Sequence, residues 1–156
     1  MIRGALFDPN AFPQRRRPIW CVCPWVKADI SIPRLGKKRK ITFQVDTGAD
    51  VTSLSVRDAV RLLGKKGFRH LSRLKELRGV GGKASYFEEP AQIVLRHEDG
   101  NIEGFDFILY IAKPSRKRSK KLGQQLQLPS LLGKNIIFEF RMVMDYSKKQ
   151  LFLDHS

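Results

Sequence analysis

Apolar and polar side chains alternate with a period of two along much of the chain, which predicts strands rather than helices. The alternation runs through Val26, Ala28, Ile30 and Ile32 in Trp25–Pro33 and resumes at Ile41, Phe43 and Val45. Between them, basic Gly36–Lys40 reads as a turn, so the two segments predict a hairpin. Leu77–Glu88 reads as two short strands around Val80-Gly81-Gly82-Lys83. Ala91–Arg96 and Ile102–Ile111 alternate on either side of His97-Glu98-Asp99-Gly100-Asn101, a further hairpin. Met142–Tyr146 and Gln150–Leu153 form the last one, over Ser147–Lys149. Helical spacing is confined to Ser55–Leu63, where Val56, Ala59, Val60 and Leu63 share a face, Ser55 suits the N-cap and Gly64 the stop. A shorter helix is expected at Asn135–Phe140, after Leu131–Gly133. Short strands joined by hairpins, with one or two short helices, predict a mainly β, mainly antiparallel domain of closed, barrel-like type. No tandem repeat is evident, although Phe43–Gly48 and Phe107–Ala112 are both apolar strands followed later by a helix candidate.

The chain has 156 residues, of which 42% are apolar, enough for one domain with its own core. Residues 1–18 read as a basic arm punctuated by Pro9, Pro13 and Pro18, and residues 19–156 as the folded domain. Within that domain, 113–128 reads as a basic, mobile loop insertion, because Lys113–Lys121 carries six cations and no acid. Apolar runs such as Ile108–Ala112 are far too short to cross a bilayer, so no membrane association is expected. Met1–Arg17 has no apolar stretch of the secretory kind. Cys21 and Cys23 lie one residue apart, a spacing that suits neither a loop-closing disulfide nor a four-ligand metal site. They read as packing residues on one face of a strand, in a reducing, cytoplasmic setting. The net charge of +15 changes the picture in one respect: it favours solubility and weak association with polyanions. It brings no zinc finger, RNA-recognition motif or helix-turn-helix with it. Trp20 and Trp25 beside Arg15–Arg17 could stack on bases, but fit an arm packed on the domain better.

The chemistry concentrates at Asp46-Thr47-Gly48, which ends a strand of β-branched and aromatic residues. Gly48 permits close backbone approach, and the Thr47 hydroxyl can brace the loop. An isolated tripeptide of this kind also fits a plain β-turn with an Asx bond. His70, His97 and His155 are scattered and read as surface residues. Ser53 and Ser55 lack a Gly-x-Ser-x-Gly elbow.

Three segments in order change the weight of the tripeptide. Phe43-Gln44-Val45-Asp46-Thr47-Gly48-Ala49-Asp50-Val51-Thr52 resembles the catalytic strand and loop of the retropepsin family of aspartic peptidases. Arg78-Gly79-Val80-Gly81-Gly82 is similar to that family's glycine-bearing flap. Leu131-Leu132-Gly133-Lys134-Asn135-Ile136-Ile137 resembles its apolar–apolar–Gly–x–Asp/Asn segment before a helix. The hairpin around Met144-Asp145-Tyr146 is closer to cellular, non-viral members than to retroviral ones, and the resemblance spans Trp25 to Leu153. It implies an acid-protease β-barrel with a hairpin flap, active as a homodimer on peptide or protein substrates, with no metal or cofactor. It implies catalytic roles for Asp46, Thr47 and Gly48. It places Ala49, Asp50, Val51, Val80, Gly81, Gly82, Leu132 and Ile136 along the substrate, with Asp50 also a partner for Lys134. Val51, Val80, Leu132 and Ile136 fit ordinary core equally well. Two rival readings remain: a retropepsin-like module that grips peptides or an acidic partner without cutting, and nucleic-acid association driven by charge alone.

Overall fold

In the computed structural model, residues 1–6, 23–79, 82–115 and 119–155 are described. Val26, Ala28, Ile30 and Ile32 point one way in β2 (Trp25–Ile32) and are buried. The matching set in β3 (Lys37–Val45) is Ile41, Phe43 and Val45. β2 and β3 pair antiparallel from Trp25↔Gln44 to Ile32↔Lys37. The predicted Gly36–Lys40 turn is therefore shorter than its composition implied. A 3₁₀ turn at Pro33–Leu35 and Gly36, at φ 59°, make the reversal, and Lys37–Lys40 already belong to the strand. Ladder pairing uses only the backbone, so a run of cations can occupy it as long as the side chains reach water.

The remaining strands are β1 (Ile2–Ala5), β4 (Ser53–Leu54), β5 (Leu74–Gly79), β6 (Gly82–Arg96), β7 (Ile102–Ala112), β8 (Ser130–Leu132), β9 (Arg141–Asp145) and β10 (Gln150–Asp154). They form one mainly β sheet in the order β5-β6-β7-β4-β8-β3-β2-β1-β10-β9. β2 also pairs with β6, through Ile30↔Ile93 and its neighbours. The hydrogen-bonded neighbours thus return on themselves through β6, β7, β4, β8, β3 and β2. Phe43, Ile30, Ile93, Leu95, Leu109 and Leu132 fill the interior of that circuit. The hairpins expected at β2–β3, β5–β6, β6–β7 and β9–β10 are present. Two pairings, β3–β8 and β4–β7, are parallel, which hairpin logic cannot anticipate.

The beginning of the chain departs from the arm reading. Ile2–Ala5 pairs antiparallel with β10, from Ile2↔Leu153 to Ala5↔Gln150, and Ile2 is 1% exposed. Its pattern is hidden because the residue between Ile2 and Leu6 on the inward face is Gly4. A Cβ there would lie 2.2 Å from the Trp25 carbonyl oxygen, so no larger residue fits. Residues 7–18 of the expected arm, with Arg15–Arg17, lie outside the described residues, as do Trp20 and Cys21 at the start of the expected domain.

The 113–128 segment also differs from a plain loop. α2 (Lys120–Gln125) starts on Ser119, whose hydroxyl accepts from the Leu122 N–H at 3.1 Å. Gln125 then folds the segment back, donating to the Lys113 carbonyl at 3.1 Å and accepting from the Ser115 N–H at 2.9 Å. Residues 116–118 lie outside the described set.

α1 (Val56–Leu63) forms as expected, with Ser55 as N-cap and Gly64 ending it at φ 74°. Its inner end carries a buried polar cluster. The Ser130 hydroxyl donates to the Asp58 carboxylate at 2.7 Å and accepts from the Ser55 N–H at 3.0 Å. Arg57 and Arg61 reach the other carboxylate oxygen at 3.4 and 3.5 Å. The carboxylate also lies in the first helical turn, where the exposed amide dipoles favour negative charge. This cluster fixes α1 to β8, and β8 leads directly into the site described next. Asp58→Ala leaves a buried hydroxyl without its acceptor, and should lower unfolding free energy by about 2–3 kcal/mol. A urea titration with an unchanged slope and an earlier midpoint would register it.

Candidate active site

Asp46 is the first residue beyond β3. Its N–H donates to the Leu132 carbonyl at 3.0 Å, carrying the parallel β3–β8 pairing one step past Val45↔Leu132. The chain then turns back, with the Ala49 N–H on the Asp46 carbonyl at 3.1 Å. The Gly48 N–H donates to Asp46 Oδ1 at 2.8 Å, an Asx bond that orients the carboxylate. A Cβ on Gly48 would stand 3.1 Å from that same oxygen, tighter than side chains normally pack. Asp46 is half-buried, while Thr47 and Gly48 are exposed.

The loop that follows is stitched to the segment after β8, including α3 (Lys134–Ile137). The Lys134 N–H donates to the Ala49 carbonyl at 2.8 Å, and the Asn135 N–H to the Asp50 carbonyl at 3.3 Å. The buried Thr52 hydroxyl accepts from the Gly133 N–H at 3.0 Å and donates to Asn135 Oδ1 at 2.8 Å. The Lys134 ammonium meets Asp50 Oδ1 at 2.5 Å, although the Asp50 side chain is 83% exposed. Gly133 lies so close that an added Cβ would be 2.4 Å from both the carbonyl carbon and oxygen of Val51. Side chains are excluded there by backbone atoms, which cannot move aside cheaply.

Asp46, Thr47, Gly48, Ala49, Asp50 and Val51 therefore lie together in one loop. Leu132 and Ile136 do not join them as open walls. They are 0% and 1% exposed and belong to the core, which was the other way to read them. Gly82, at φ 104°, begins β6 and pairs with Gly79 at the tip of the β5–β6 hairpin. Val80 and Gly81 lie outside the described residues. Thr52 and Gly133 carry the stitching, and pattern reading assigned neither a structural role. The available signal was weak: Thr52 lies among other polar residues in Asp50–Ser55, and Gly133 stands between the apolar pair Leu131–Leu132 and the polar pair Lys134–Asn135.

The β5–β6 hairpin is tied at its base to the strand beside this loop. Glu88 Oε1 accepts from the Tyr110 hydroxyl at 2.8 Å and meets the Lys75 ammonium at 3.1 Å. Tyr110 in turn pairs with Ser53, and its N–H donates to the Thr52 carbonyl at 3.2 Å. Donation from Tyr110, then from Lys75, holds the Glu88 carboxyl below the usual carboxylate range. Burial, with the Glu88 carboxylate next, pushes the Tyr110 hydroxyl up. Among the described residues, no three or more His, Cys, Asp or Glu side chains are grouped so as to hold a metal ion. No described helix is long and apolar enough to cross a membrane.

No protein-family model matches the chain, and no curated protein matches it. Among solved structures it is similar to a retropepsin-like aspartic protease from Rickettsia conorii. The two share 20% identity over 99% of this chain and 89% of that chain, with a TM-score of 0.47.

Two substitutions probe the site's supports. Gly133→Ala forces a methyl group into the Val51 backbone and should cost about 2 kcal/mol or more of stability, read as a lower urea midpoint. Glu88 has a folded-state pKa below its unfolded one, so its contribution is present above the unfolded value. That contribution fades as pH falls through the folded value. Glu88→Gln should therefore flatten the acid side of the stability–pH curve, with the largest difference from the parent chain near neutral pH.

Proposed function

We propose that the chain is an aspartic-type endopeptidase, active as a homodimer in which each copy contributes Asp46. The observation that carries this reading is the placement of one partly exposed carboxylate at the end of a core strand. The Gly48 N–H orients it, and the loop is stitched to Gly133–Asn135. The Asp-Thr-Gly sequence there, followed by the glycine-rich hairpin and the Leu-Leu-Gly segment, supports the same reading.

Hydrolysis by this route needs two carboxylates around one water. The ionised one takes a proton from the water, while the protonated one hydrogen-bonds to the scissile carbonyl. Like charges about 3 Å apart cannot both ionise, so the pair shares a proton and titrates as a unit. One chain holds one Asp-Thr-Gly. A second copy related by a two-fold axis supplies the other through a self-complementary interface. Thr47 would brace the two loops across that axis, and the exposed Gly48 backbone would meet substrate main chain. The tip of the β5–β6 hairpin would close over a peptide bound in extended form. Ala49 and Val51 would flank that peptide. Asp50, already held by Lys134, would add a fixed acceptor at the rim.

Cleavage of a complex peptide mixture by the parent chain and by Asp46→Asn tests the proposal. Asn keeps an oxygen for the Gly48 N–H but cannot act as the base. Products should fall at least about a hundredfold, with sedimentation showing an unchanged dimer. A pepstatin-type inhibitor should suppress the same products. Equal cleavage by both chains would rule the mechanism out. An absence of inhibitor-sensitive products from the parent chain would favour a peptide-binding module.

A further inference from the structure

The chain's positive charge is not spread evenly. No acid occurs between Ile30 and Val45, and only Asp58 between Val51 and Lys75. The fold brings these two stretches to one end. Arg39 lies on the core-facing side of β3, beyond Ile41, and its guanidinium donates to the Arg61 carbonyl of α1 at 3.1 Å. The first half of β3 thereby sits beside the end of α1 and the turn that follows it. Lys37, Lys38, Lys40, Lys65, Lys66 and Arg69 are all exposed at this end. Among the described residues, none of them has a carboxylate partner within ion-pair distance.

The acids that could have neutralised this end are withdrawn beneath it. Asp29 lies across the ladder from Lys40 but meets Arg96 at 3.4 Å. Glu89 is buried and held by Arg34 at 2.7 Å. Asp58 is buried and already shared between Arg57 and Arg61. The exposed cations therefore repel one another with little local compensation, a cost that an anionic partner would offset.

The same surface lacks what other anionic partners require. The large apolar side chains exposed elsewhere, such as Phe138, Met144 and Tyr146, have no counterpart between residues 33 and 41 or 57 and 70. A membrane-surface helix needs an apolar face to insert, and a protein partner needs buried aromatic or aliphatic anchors. Charge without anchors suits a phosphate backbone, which is held by charge and releases its counterions. Successive side chains on one face of a strand stand about 7 Å apart. The spacing lets Lys38 and Lys40 meet separate anionic groups.

We infer that this end of the molecule is a binding surface for a nucleic-acid strand held through its phosphates, without base recognition. Its lysines lie in the first half of β3, whereas Asp46 follows the other end, about 20–30 Å away along the strand. The candidate active site stays open while the strand is bound. The inference does not depend on the peptidase reading.

Fluorescence anisotropy of a labelled oligothymidylate of about twenty nucleotides, titrated with the full chain at several KCl concentrations, tests it. Binding should weaken steeply with salt. Lys37, Lys38 and Lys40 replaced together by Gln should lower the log–log salt slope by about 2, and weaken binding at least tenfold at roughly physiological salt. The control removes the same charge elsewhere, at exposed Lys113, Lys120 and Lys121, and should change affinity by no more than about threefold. Thermal melts of both triple variants should match the parent chain. Equal weakening by the two variants would reduce the effect to bulk charge and overturn the inference. So would salt-insensitive binding, or tighter binding to phosphatidylserine vesicles than to the oligonucleotide.

Discussion

The buried Thr52 hydroxyl spends both of its hydrogen-bonding capacities across the chain, accepting from the Gly133 N–H and donating to Asn135. These two bonds join segments about eighty residues apart in sequence. The Asp46 loop has no regular structure of its own, and its shape depends on this junction. Gly133 is part of the same constraint, since its missing side chain is what lets the two backbones touch. A carboxylate on an unsupported loop would sample many orientations. With the Asp46 N–H on the Leu132 carbonyl, the loop beyond it held at Ala49 and Asp50 by the Lys134 and Asn135 N–H groups, and the carboxylate held by the Gly48 N–H, Asp46 is restricted to few.

Parallel pairing of β3 with β8 makes the junction possible. Parallel strands cannot be joined by a tight turn, so the chain between them must travel a long way and return. It does so through α1, the β5–β6 hairpin and β7, and the same excursion carries the hairpin to the neighbourhood of the loop. The polar cluster of Ser55, Asp58 and Ser130 sits where the outgoing helix meets the returning strand. Buried polar groups are costly unless satisfied, and here each is paired with another from the opposite side of the crossing. That pairing favours one register of β8 over its neighbours. The Lys75–Glu88–Tyr110 chain performs a similar task at the hairpin's base, where three strands meet.

Arginine has a distinct place in this economy of charge. Arg34 and Arg96 reach carboxylates on other elements, and Arg57 and Arg61 reach the buried Asp58 of their own helix, whereas the lysines of β3 and of the turn after α1 extend into water. A planar guanidinium can satisfy a half-buried acid while keeping part of its surface hydrated, and a flexible ammonium is better left in solvent. The consequence is that, among the described residues, the acids next to the start of β3 and to α1 are taken up by arginines, while the lysines there stay exposed.

Period-two alternation was enough to read β2, β7 and most of β3, because each largely buries one face and wets the other; β6, read as two separate strands, runs unbroken from Gly82 to Arg96 through Glu89 and Pro90. The cap and stop of α1 were equally legible, since Ser55 and Gly64 act through local backbone geometry. Asp46, Thr47 and Gly48 could be singled out because the tripeptide ends an apolar strand and two further segments, Arg78–Gly82 and Leu131–Ile137, follow it in the order that the resemblance requires. What local pattern could not supply was β4 and β8, too short to alternate, or β1, whose inward face is interrupted by Gly4. Nor could it say that Leu132 and Ile136 are core, or that Thr52 and Gly133 hold the loop. Those outcomes rest on contacts between residues far apart in sequence, and only the closed path of the chain decides which distant backbone each one meets.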